Sequence, residues 1–153
     1  FECLDKIKTE DSYVILLTPD GNKFNQNKAV DLSKKKHLIL ICGHYEGFDE
    51  RIRTLVDEEI SIGDYILTGG EIPAMAIIDA VARLIPGVIN KESLESESFD
   101  NNLLDYPMYT KPAEYRGLKV PDVLINGDHK KIAEWRKNEQ IKKTKEKRPQ
   151  LLK

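Results

Sequence analysis

The residues with the most capacity for chemistry in this chain are glycines in turns. Gly43, Gly47, Gly63, Gly69 and Gly70 all follow apolar runs. Lacking a Cβ, they let main chain approach a ligand closely and present N–H and C=O groups to it. Three turns, residues 18–21, 43–47 and 61–70, each come after a run that reads as strand, which points to a ligand crevice at one edge of a parallel sheet. A plain turn is a sufficient account of any one of these glycines; the set after successive strands is what implies a pocket. The spacing is neither G-x-G-x-x-G nor G-x-x-x-x-G-K-[ST], so it indicates neither a dinucleotide fingerprint nor a P-loop. His37, His44 and His129 are dispersed, with no zinc-type spacing, and no metal ligand set is expected. Cys3 and Cys42 have no evident activating base. Cys42 closes the apolar run 37–42 and reads as a reduced core thiol, which suggests a cytoplasmic chain.

The elements that must position these turns follow from the hydrophobic pattern. Residues 13–18 form a continuous β-branched and apolar run, predicting a strand buried on both faces. Pro19-Asp20-Gly21 is expected to end it with turn chemistry. A polar surface helix over 25–36 and a second buried strand over 37–42 complete a βαβ unit. A short charged helix is expected over 48–55. Beyond Gly69-Gly70, Glu71 and Pro73 suit a first helical turn, and the helix to about residue 84 is apolar nearly all round. A helix of that kind packs on more than one side, so a subunit interface is expected.

The chain has 153 residues with 24 basic and 26 acidic side chains, enough for one domain with a small appendage. Charge is unevenly placed. From residue 46 to 100 there are 13 acids against 4 bases, and from 129 to 153 there are 10 bases against 3 acids. A basic tail on an acidic body fits a nucleic-acid footprint or a solvated helical face. Residues 90–102 are rich in serine and acids and read as a mobile linker between an α/β domain (1–89) and a small helical domain (103–153). No run reaches the roughly 18 residues of a membrane helix, and no membrane association is expected. The opening Phe1-Glu2-Cys3-Leu4 resembles the end of an amphipathic helix, so the chain reads as part of something longer; a trimmed disordered start is the alternative.

The stretch Gly43-His44-Tyr45-Glu46-Gly47-Phe48-Asp49-Glu50-Arg51, followed by residues 57–75 with Ser61-Ile62-Gly63-Asp64-Tyr65 and Thr68-Gly69-Gly70-Glu71-Ile72-Pro73, closely resembles the bacterial tRNA (guanine-N1-)-methyltransferases of the SPOUT superfamily. The likeness runs on through Arg83-Leu84-Ile85-Pro86-Gly87, Leu103-Leu104-Asp105-Tyr106-Pro107, Tyr109-Thr110-Lys111-Pro112, Trp135-Arg136 and Lys147-Arg148-Pro149. The resemblance implies an α/β fold whose parallel sheet carries a deep trefoil knot, plus a small C-terminal helical domain. It implies an obligate homodimer that uses S-adenosyl-L-methionine to methylate N1 of guanosine 37 in tRNA.

By the same resemblance, Leu17, Thr18 and Pro19 match the first cofactor loop, and Gly43, Tyr45 and Glu46 the second. Ser61, Ile62, Gly63, Tyr65, Leu67, Gly69, Gly70 and Pro73 match the knot loop. Arg83 matches the family's catalytic arginine, and Glu97 falls where a catalytic aspartate is usual. Those roles suit the reaction. Guanine N1 is protonated at neutral pH, so a carboxylate must remove its proton, a contribution of roughly 10²–10⁴ in rate. A guanidinium stabilises the charge that then develops on O6. Unaided, the residues also allow an Arg83–Asp79 helix pair and a solvated Glu97. His44 stands where an arginine is usual, and Asp20 replaces a common glutamine. The other readings are an inactive nucleic-acid-binding fragment and a SPOUT methyltransferase acting on a different RNA.

Overall fold

A computed structural model describes residues 1–90 and 97–152 of the chain. It divides into two compact units, Phe1–Asn90 and Lys91–Lys153.

In the first unit the apolar run becomes the middle strand β1 (Ser12–Lys23), flanked by β2 (His37–Ile41) and β3 (Glu58–Ser61) in the order β2-β1-β3. Both pairings are parallel: Ser12 faces His37 and Leu16 faces Ile41, while Ile15 faces Glu58 and Leu17 faces Ile60. A middle strand is covered on both faces, which is why its sequence lacks polar alternation. Ile15 and Leu17 pack with Ala29 and Leu32 of α2 (Gln26–Leu32) and with Ala74, Ile77 and Val81 of α3 (Glu71–Ala82). Val14 points the other way, onto Leu4 of α1 (Glu2–Ile7), Ile39, and the 3-10 turn Glu50–Leu55 through Ile52 and Leu55. Burying one such side chain is worth about 1.5–3 kcal/mol, so β1 anchors both layers.

Three local expectations are corrected. Residues 18–21 do not end β1: Leu17 and Asn22 both lie opposite Ile60, and the turn between them loops out of the strand. Gly21 permits the return, since a Cβ there would sit 2.4 Å from the Ile60 amide nitrogen. The helix expected over 25–36 stops at Leu32, capped at its start by Asn25, whose Oδ1 accepts from the Lys28 amide at 3.0 Å. Lys34-Lys35-Lys36 offers no apolar side chain to hold a further turn on the core. The segment expected as a charged helix over 48–55 is the 3-10 turn.

A polar tie crosses the layer between α2 and the sheet. Glu58 takes the Lys28 ammonium at 2.7 Å on one oxygen and the Tyr13 hydroxyl at 3.2 Å on the other. Burial first, and Glu58 second, push the Tyr13 phenol up. The bond to Glu58 pushes Lys28 up as well.

The second unit contains a two-stranded antiparallel ribbon, β4 (Glu114–Tyr115) and β5 (Leu118–Lys119), a short helix α4 (Asp122–Ile125) and the long α5 (His129–Lys147). Asp128 caps α5 by accepting from the Lys131 amide at 3.2 Å. The chain around residues 103–105 is strapped to α5. Buried Thr144 accepts the Leu104 amide at 2.9 Å, and Lys143 donates to the Asp105 carbonyl at 2.8 Å. The expected linker over 90–102 falls partly on residues 91–96, outside the described residues. Among the described residues no helix is long and apolar enough to cross a membrane.

The tie through Glu58 yields a stability prediction. Glu58→Gln leaves the Lys28 ammonium half-buried without a counter-charge and should cost about 1–2 kcal/mol. Urea unfolding of the two proteins measures the difference.

Candidate functional site

The looped-out turn of β1 and the carboxyl ends of β2 and β3 open onto a cleft of about 530 Å³. Its walls are the three turns singled out in the sequence. Leu17, Thr18 and Pro19 line it from β1 and its looped-out turn; Gly43, Tyr45 and Glu46 from the turn after β2; Ser61, Ile62, Gly63, Tyr65, Leu67, Gly69 and Gly70 from β3 and the loop after it; and Pro73 from α3. Their proximity follows from topology: parallel strands deliver their following loops to the same sheet edge.

A short seam holds two of these turns together. The Gly70 amide donates to the Gly43 carbonyl at 2.9 Å, and His44 and Gly69 form an antiparallel bridge beside it. Backbone comes this close because position 70 has no side chain. A Cβ there would lie 2.6 Å from the Cys42 Cα and 2.9 Å from the Gly43 nitrogen. His44 Nε2 and Glu71 Oε1 approach to 2.5 Å across the same seam. The Glu71 carboxyl is held below its ordinary value of 4.5, first by its own backbone amide and then by His44. Beyond the seam, Tyr45 adopts φ 59° and stands fully exposed at the lip, a strained setting typical of ligand sites.

Charge in the cleft is arranged around Arg53. Its guanidinium pairs with Asp20 at 2.7 Å, with Glu50 at 3.0 Å, and with Glu59. It thereby joins the looped-out turn, the 3-10 turn and β3, and the carboxylates raise its already high pKa further. Four carboxylates line the cleft: Asp20, Glu46, Asp49 and Glu50. Arg53 takes Asp20 and Glu50, and Arg51 takes Asp49 at 2.7 Å. Among the described residues, Glu46 is the one of the four with no ion-pair partner.

Neither catalytic candidate is among the residues that line this cleft. Arg83 is the half-buried C-cap of α3, its amide on the Asp79 carbonyl at 3.3 Å, at the opposite end of that helix from Pro73. Glu97 belongs to the second unit and is half-buried. The next residue, Ser98, accepts the Asp105 amide on its Oγ at 3.0 Å. Sequence reasoning missed Arg53, Phe48 and Ile52 as cleft walls. Its only local signal for Arg53 was the i,i+3 spacing to Glu50; its other partners, Asp20 and Glu59, meet it only through the fold.

A parallel sheet whose strand ends border a glycine-rich, mixed polar and apolar cleft defines an α/β protein with a candidate small-molecule cleft at its sheet edge. Comparison with known proteins is more specific. Residues 1–153 match the family described as tRNA (Guanine-1)-methyltransferase TrmD, and the chain belongs to that family. It is 58% identical over 153 residues to a tRNA (guanine-N(1)-)-methyltransferase of Dictyoglomus turgidum, covering 99% of this chain and 62% of that protein. The figure is 61% over 140 residues for the protein of that name from Thermotoga maritima, covering 92% of this chain and 57% of the relative. For that of Malacoplasma penetrans it is 63% over 151 residues, covering 99% and 67%. The chain thus spans about three-fifths of the length of these curated relatives.

Two predictions come from the seam. Gly70→Ala forces main chain apart and should destabilise the first unit by about 1–3 kcal/mol, read by denaturant unfolding. Because the Glu71 carboxyl is depressed in the folded state, its stabilising contribution is present above pH 4.5 and fades as pH falls through its lowered value. Glu71→Gln should therefore be less stable than the parent at neutral pH and converge with it in acid. Unfolding curves taken at several pH values check the convergence.

Proposed function

We propose that this chain is the cofactor-binding and C-terminal portion of an enzyme that transfers a methyl group from S-adenosyl-L-methionine to N1 of guanosine 37 in tRNA. The observation that carries the reading is convergence. Fourteen residues matched one by one to the family's cofactor loops, and scattered from Leu17 to Pro73, line one cleft. The cleft also suits the ligand chemically. Its glycine-bearing turns offer backbone donors and acceptors where a side chain at Gly70 would collide with main chain. Glu46, without an ion-pair partner among the described residues, is a carboxylate suited to the ligand's ammonium group. When bound, the sulfonium supplies an electrophilic methyl group.

The chain's own residues then have two tasks. Glu97 removes the N1 proton of guanine, and Arg83 stabilises the negative charge that moves onto O6. The basic helix α5 attracts the RNA. We further infer that the backbone threads as the family's deep trefoil knot, in keeping with the return of the 63–70 loop onto the end of β2. A homodimer completes the reading. Ile72, Met75 and Ile78 line one side of α3 and are 58%, 69% and 55% exposed, an apolar surface that a second copy would cover. A cytoplasmic location accords with an RNA substrate.

The test is transfer of labelled methyl groups from S-adenosyl-L-methionine to unmodified tRNA bearing guanosine 37. Label should appear at N1 of that base with the whole enzyme, and Glu97→Gln should lower turnover by about 10² or more while leaving cofactor affinity nearly intact. Unchanged turnover in Glu97→Gln would show that another group is the base.

A further inference from the structure

The second unit holds a cleft that the methyl-transfer chemistry does not use. It measures about 510 Å³ and is lined by aromatic rings and cations, among them Tyr106, Tyr109, Lys111, Trp135 and Arg136. Its apolar floor comes from α4 and α5, through Leu124 and Ile132. Its rings make defined contacts within the cleft. The Arg136 guanidinium lies 4.7 Å from the centre of the Tyr106 ring. Tyr109 and Trp135 stand 6.3 Å apart with planes tilted by 53°, so they do not cover each other's faces. Tyr109 remains 47% exposed.

We propose that this cleft takes one unstacked nucleobase from a single-stranded segment of the RNA, held against Tyr109 and Trp135, with the adjoining phosphate on Lys111 and Arg136. Two independent features favour that occupant. Flat π faces beside a guanidinium are the surface that binds an unpaired base irrespective of its identity. The unit's charge suits a polyanion: α5, which supplies Trp135 and Arg136, carries eight Lys and Arg side chains against three Glu. The proposal rests on the RNA reading above and adds a site, separate from the cofactor cleft, that would grip a nucleotide other than the one methylated.

Trp135 is the single tryptophan of the chain, so its emission reports on this cleft alone. The experiment titrates the 153-residue chain with a short unstructured RNA oligonucleotide, following Trp135 fluorescence and, in parallel, filter retention of the labelled RNA. The expected result is saturable quenching that tracks retention. Tyr109→Ala should weaken binding about tenfold or more, as loss of one stacking partner does, whereas Tyr109→Phe, which keeps the ring, should stay within about twofold. RNA retained with unchanged Trp135 emission, or bound equally well by Tyr109→Ala, would overturn the stacking site and leave the methyltransferase reading standing. Absence of RNA retention at low salt would count against the RNA reading itself and remove the proposal with it.

Discussion

The contact on which the candidate site depends is one backbone hydrogen bond, from the Gly70 amide to the Gly43 carbonyl. It fastens the loop after β3 to the turn after β2, two segments that parallel topology brings near each other but does not join. Its length of 2.9 Å is accessible only because residue 70 carries no side chain, a methyl there being within 2.6 Å of Cys42. The His44–Glu71 pair and the His44–Gly69 bridge reinforce the same seam. Since α3 begins at Glu71, immediately after the seam, helix and loop are positioned together, and Pro73 is delivered to the cleft as a consequence.

Electrostatics divides the chain into two working halves. In the first unit the acids around the cleft are largely neutralised by arginines, with Arg53 tying three segments together. Networks of this kind matter more than isolated surface pairs, each of which contributes roughly 0–1 kcal/mol. The arrangement leaves Glu46 without an ion-pair partner among the described residues. In the second unit lysine and arginine are in excess on α5, which also lines the aromatic cleft through Ile132, Trp135 and Arg136. On the proposed reading, electrostatic attraction and stacking contact with RNA would come from the same helix.

Much of the first unit is legible in its sequence because hydrophobic periodicity is a local property. The uninterrupted run around Ile15 announces a strand buried on two faces, and the turns after it announce the sheet edge where the cleft opens. What escapes is non-local. That β1 resumes beyond Pro19 and Gly21 depends on Ile60 lying across from both Leu17 and Asn22, a pairing no local pattern encodes. Arg53 is likewise defined by partners far along the chain. The helix over 26–32 ends early because Ala29 and Leu32 are its buried anchors and the lysines that follow offer no apolar side chain to hold another turn. The aromatic cleft of the second unit is built by residues from Tyr106 to Arg136 that only the strap at 103–105 and the packing of α4 on α5 bring together.

The central claim is that the cleft at the looped-out turn of β1 and the ends of β2 and β3 is shaped for S-adenosyl-L-methionine. Calorimetric titration with its demethylated product, S-adenosyl-L-homocysteine, tests this most directly because it needs neither RNA nor turnover. The account predicts a saturable heat of binding that is lost when Glu46 and Tyr45 are replaced together by alanine. Heat no different from dilution, in a protein shown to be folded, would contradict it.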